Sequence, residues 1–144
     1  MREILFRGKA TNRDPFYTYR TKYKNGDWVY GLLTDCENYA GFAQMTNTDG
    51  VSGIDVDKTT VGQYTGLTDK NGKKIFEGDI VVVYARGYHT VCTVSWAETV
   101  AHFQLWQINT IPKTSTNLNL GNYDCEVIGN IHDNPELLKE GVQG

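Results

Sequence analysis

The stretch Val61-Gly62-Gln63-Tyr64-Thr65-Gly66-Leu67-Thr68-Asp69-Lys70-Asn71-Gly72-Lys73-Lys74-Ile75-Phe76-Glu77-Gly78-Asp79-Ile80-Val81-Val82-Val83 decides the fold class. Its glycines at 62, 66, 72 and 78 stand where turns or close backbone approach are needed, and Tyr64, Leu67, Ile75, Phe76 and Ile80 supply apolar anchors between them. Asn71-Gly72 predicts a two-residue hairpin turn, because both central positions of a type I′ turn need positive φ. That turn joins the region around Tyr64 to Lys74-Ile75-Phe76, or tightens a longer connection. From Asp79 the chain reads Ile-Val-Val-Val-Tyr-Ala-Arg, β-branched and apolar on both faces, the pattern of a central strand covered on both sides.

Working outward, the same signals recur. Asn25-Gly26 predicts a second hairpin, joining Tyr17–Lys24 to Asp27–Thr34, with Trp28, Tyr30 and Leu32 on one face by period-two alternation. Strands follow at Thr90–Trp96, Val100–Ile108 and Tyr123–Ile131, and the Thr- and Asn-rich run Pro112–Gly121 reads as a loop. Helix signals are few: Asn134-Pro135-Glu136-Leu137-Leu138 has a capping Asn, Pro at the first helical position and an early Glu, and Asp57 can cap one turn ending at Val61. The expectation is an all-β chain of roughly eight strands, a sandwich or pseudo-barrel with an SH3-like C-terminal half and one or two short helices. We expect one domain over residues 1–144, with room for two lobes of about 1–55 and 56–144.

Composition narrows the function classes. At 144 residues with 40% hydrophobic and 22% charged side chains the chain can bury a core, and a net charge of −3 gives no general attraction to phosphate backbones or anionic lipid. No run approaches the length of a membrane span and Met1–Gly8 lacks a signal-peptide core, so the expected location is the cytoplasm, without a membrane partner. Cys36, Cys92 and Cys125 are odd in number and widely spaced, which predicts reduced thiols, with Cys92 and Cys125 as small core residues.

Three stretches resemble the YopX family of phage and prophage proteins. They are Arg2-Glu3-Ile4-Leu5-Phe6-Arg7-Gly8-Lys9, the run from Val56 through Asn71-Gly72 to Val81, and Val127-Ile128-Gly129-Asn130-Ile131-His132-Asp133-Asn134-Pro135-Glu136-Leu137-Leu138. The resemblance implies phage or prophage encoding and a β-rich fold. It brings no assigned activity.

Candidate chemistry is sparse. Cys92 with His89 or His102 is the one conceivable nucleophile–base pair, but a cysteine in a β-branched run is more often core, and His132 belongs to the turn before the helix. The His and Cys spacings fit no metal site, and Asp55-Val56-Asp57 and Asp69-Lys70-Asn71-Gly72 lack the full calcium-loop ligand series. No phosphate-binding loop is present, and no cofactor is expected. The remaining signals are a strand face of Tyr17, Tyr19 and Tyr23, and a patch of Tyr64 with Lys58, Lys70, Lys73 and Lys74, diluted by Asp57, Asp69, Glu77 and Asp79. The leading expectation is a non-enzymatic binding protein that forms a homo-oligomer and engages a protein partner. The alternatives are a nucleic-acid binder using the Lys- and Tyr-bearing hairpin, and a small-ligand binder or enzyme whose site forms only in the fold.

Overall fold

The computed structural model describes residues 3–11, 23–35, 41–85, 88–97, 102–107, 115–119 and 124–138. The chain divides after Tyr64 into two compact units, later than the expected position near 55. Eleven strands occur among the described residues, three more than the eight expected, because several are only three to five residues long and too short to show a period. The fold is all-β, and the sheets do not close into a barrel.

The first unit is built from β1 (Phe6–Lys9), β2 (Trp28–Asp35), β3 (Phe42–Asn47) and β4 (Ile54–Asp57), followed by the start of β5 (Gly62–Thr68). Strand order is β4-β3-β2-β1-β5, and the registers of its pairs are antiparallel. One face is the core: Ala10, Val29, Ala43, Met45, Ile54 and Val56 are buried together, with Phe6, Tyr23, Leu33 and Val61 against them. A bridge from Ala10 to Val56 and a bond from the Thr11 N–H to the Asp55 carbonyl draw the end of β1 toward β4. Between β4 and β5 a 3-10 turn at Lys58–Thr60 is capped by Asp57, whose carboxylate accepts the Thr59 N–H, as the sequence predicts.

The first Asn-Gly step forms a β-turn, with the Asp27 N–H donating to the Lys24 carbonyl at 3.0 Å. The strand after it, β2, lies between β1 and β3, with Arg7 opposite Tyr30 and Leu33 opposite Met45. Residues 12–22, assigned from sequence to the other arm of that hairpin, lie outside the described residues.

In the second unit β5 is followed by β6 (Lys74–Phe76), then β7 (Asp79–Ala85), β8 (Tyr88–Ala97), β9 (His102–Gln107), β10 (Ser115–Asn119) and β11 (Asp124–Asn130). The last five form one sheet in the order β10-β9-β8-β7-β11. As the apolar run predicts, β7 is internal and buried on both faces. Val81 and Val83 join Ile75, Cys92, Val94, Leu105 and Cys125 on one side. On the other, Ile80 and Val82 meet Val91 under Ile128 of β11, Ile131 just after it, and Leu137 and Leu138 of the final 3-10 turn at Pro135–Leu138. Strand β10 corrects the loop reading for Ser115–Asn119, within the run Pro112–Gly121: Ser115 and Thr116 pair with Trp106 and Leu105 of β9. The β-branched Thr suits a strand, and the polar composition hid it.

Candidate functional site

The hairpin between β5 and β6 carries three of the candidate residues. Its turn holds three residues rather than two: the Asp69 N–H donates to the Lys73 carbonyl at 2.8 Å and the Gly72 N–H to the Asp69 carbonyl at 3.0 Å. Gly72 takes φ of 83°, the left-handed position that ends such a turn. Asp69 accounts for the difference, since its Oδ1 accepts the N–H groups of Asn71 and Lys73, both at 2.9 Å. Its Oδ2 accepts the Val127 N–H at 3.0 Å, tying the turn to β11. Burial of Asp69 pushes its pKa up, but the three backbone N–H donors, with the charge of Lys73, outweigh this and hold the carboxyl below its ordinary value.

Lys70, Lys73 and Lys74 are all exposed on this hairpin. The Lys70 Nζ lies 4.5 Å from the ring centre of Tyr84 and 3.5 Å from a Glu126 oxygen, and the Tyr84 hydroxyl donates to the same carboxylate at 3.3 Å. Lys70 thus stands beside Tyr84 and an acid. Tyr64, expected in this patch, is only 6% exposed. Tyr23 is half-buried against the first core, and its hydroxyl accepts from the Asn47 amide at 3.1 Å. Tyr17 and Tyr19 lie outside the described residues.

The surface that sequence reasoning undervalued is the outward face of β2. Trp28, Tyr30 and Leu32 do share a face, as their alternation predicts, but the core side of the strand is Val29, Gly31 and Leu33. Tyr30 remains 38% exposed and Leu32 53%. From β1, the Arg7 guanidinium lies 4.5 Å and the Lys9 Nζ 5.4 Å from the Trp28 ring centre, within cation–π range. The pleat was legible in the sequence and its sense was not, because Val-Gly-Leu is a weaker apolar signal than Trp-Tyr-Leu.

The thiols and histidines fall apart. Cys92 and Cys125 are free and buried in the second unit's core. Burial, with Cys125 nearby, pushes the Cys92 thiol up to about 12, and burial with the charges of Asp69 and Asp124 raises that of Cys125. His89 pairs with Tyr84 and is exposed, on the face of β8 opposite Cys92. His102 is opposite Ala97, five positions along β8 from Cys92, or about 17 Å at 3.3 Å per residue. The His132 N–H donates to the Asn130 side chain in the turn after β11. Among the described residues no group of three or more His, Cys, Asp or Glu is placed to hold a metal ion, and no helix is long and apolar enough to cross a membrane.

These features define an all-β protein of antiparallel sheets whose polar side chains work chiefly in its turns. The chain belongs to the YopX family, whose model, described as YopX protein, matches residues 16–139. Among solved structures it is similar to the crystal structure of protein EF1440 from Enterococcus faecalis, with a TM-score of 0.50 and 25% identity over 96% of this chain and 100% of that one. No match is found among curated proteins.

Proposed function

We propose that this is a phage or prophage accessory protein that acts in the bacterial cytoplasm by binding rather than by catalysis, as a homo-oligomer that engages a protein partner. The observation that carries this reading is the outward face of β2, where exposed Tyr30 and Leu32 continue from Trp28 with its two cations. Tyr and Trp are residue types that anchor protein interfaces, and leaving Leu32 in water favours its burial in a complex. The YopX membership supports the phage setting.

The test pairs sedimentation velocity with affinity capture from prophage-bearing cells, for the natural chain and for Tyr30→Ser/Leu32→Ser. The natural chain is expected to associate and to retain a partner, and the double variant to lose both while keeping its circular dichroism. A monomeric natural chain that recovers only itself would overturn the reading. Salt-dependent binding of single strands or duplexes, weakened by Lys73→Glu, would replace it with a nucleic-acid function.

A further inference from the structure

Strand β11 ends its sheet, so one of its sides is an edge. An exposed edge presents a row of backbone donors and acceptors on which another strand can add. Alternate residues of an antiparallel strand turn their N–H and C=O to the same side, and here Cys125 and Val127 turn theirs away from β7. One group of each is met by the β5–β6 turn: the Lys70 N–H donates to the Cys125 carbonyl at 2.9 Å and the Val127 N–H donates to Asp69 Oδ2 at 3.0 Å.

The far end of β11 is closed in the same way. Past the bulge between Val127 and Gly129, the Asn130 N–H donates to Asn134 Oδ1 at 3.2 Å and the Asn134 N–H to the Asn130 carbonyl at 2.9 Å. Gly129 makes room for this, since a Cβ there would stand 2.5 Å from that Oδ1. Lys70 also brings a cation to Glu126 on the same strand.

We propose that the Asp69–Lys70 turn and Asn134 form an edge guard, which keeps β11 from adding a strand, and that releasing the Asp69 turn lets β11 pair with β11 of a second copy. A side-chain oxygen satisfies a strand N–H yet carries no ladder onward, so it ends the sheet where a strand would extend it. Asp69 suits the task because one oxygen serves its own turn and the other serves β11. An amide in its place has one acceptor oxygen, so it must fail either the turn or the edge.

Two variants test this. Asp69→Asn leaves the turn or Val127 without an acceptor. Lys70→Pro removes the donor to Cys125 while placing proline second in the turn, where it is favoured. Each is made also in the Tyr30→Ser/Leu32→Ser background, so that association through β2 is not counted. Sedimentation is run in about 0.5 M salt, where a Debye length of about 4 Å screens the acidic residues that a β11–β11 pair brings together. The expected result is concentration-dependent association of both variants beyond their parents, with Val127 amide exchange about tenfold faster in dilute Asp69→Asn, the worth of one net hydrogen bond. Both variants sedimenting like their parents would overturn the proposal, whether or not the Val127 amide opens. If Asp69→Asn fails to fold, Lys70→Pro alone decides.

Discussion

Replacing Gly31 by alanine probes the first unit at its tightest point. Gly31 sits in the middle of β2, opposite Phe6 of β1 and Asn47 of β3. A Cβ there would press into the Thr46 carbonyl oxygen and come within 2.8 Å of the Asn47 Cα and 2.9 Å of the Thr46 carbonyl carbon. All three are backbone atoms, so no rotamer relieves the overlap. The oxygen is the nearest of the three and sets the scale: restoring an ordinary carbon–oxygen contact of about 3.3 Å requires β3 to withdraw by more than about 1 Å. The Thr48 N–H bond to the Tyr30 carbonyl, 3.0 Å long, would then pass out of hydrogen-bonding range. Two ladder bonds lost or strained cost about 2 to 3 kcal/mol, and loosened packing of Val29 and Met45 brings the total to about 3 to 5 kcal/mol. Whole domains are stable by only about 5 to 15 kcal/mol. Urea unfolding followed by circular dichroism should show a midpoint lower by about 2 M, taking a slope of about 2 kcal/mol per M. A Gly31→Ala protein within about 1 kcal/mol of its parent would refute the steric reasoning.

Gly72→Ala is the contrasting case: nothing lies within 4 Å of its would-be Cβ, but φ is 83°, so the expected loss is the left-handed backbone cost alone, about 1 to 2 kcal/mol in the same titration. Asp79→Ala removes the buried acceptor, 1% exposed, that takes the Phe76 N–H at 2.7 Å, and should cost about 2 to 3 kcal/mol by calorimetry. Asp69 is more acidic folded than unfolded, so its contribution is complete above about pH 4 and is lost as pH falls through its lower folded value; Asp69→Asn should flatten the acid limb of stability against pH. For Cys92 the sign is opposite, its thiol being raised from 9.0 to about 12: its contribution is complete below pH 9 and declines up to pH 12 at about 1.4 kcal/mol per unit, and Cys92→Ala should lessen that alkaline slope.

What the sequence disclosed follows from the range over which each signal acts. The internal, two-sided burial of β7, the Asp57 cap and the Pro135 turn are written in adjacent residues, and each forms where its local chemistry predicts. The β1 partner of β2 is not local: Phe6–Lys9 is about twenty residues away, and nothing in the residues around Trp28 points to it. The Asn71-Gly72 turn was legible as a turn, but its length depends on Asp69. That carboxylate answers to a backbone amide 58 positions on. Of the candidate surface, the exposed lysines were visible as charges, whereas the burial of Tyr64 and the outward sense of Tyr30 and Leu32 depend on which side of a sheet meets the core.

The pairing of β7 with β11 also sets a timetable. Val83 meets Cys125 and Val81 meets Val127, so β7, an internal strand of the second sheet, waits for a neighbour made more than forty residues later. Contacts of such separation are slow to form and are the last available to a chain leaving the ribosome. The first unit has β1 to β4 and the start of β5 in hand once Tyr64 has emerged. A nascent chain halted before Asp124 carries β7 with one flank bare, and its Val-rich sequence makes that halted chain, rather than the finished one, the species most in need of a chaperone.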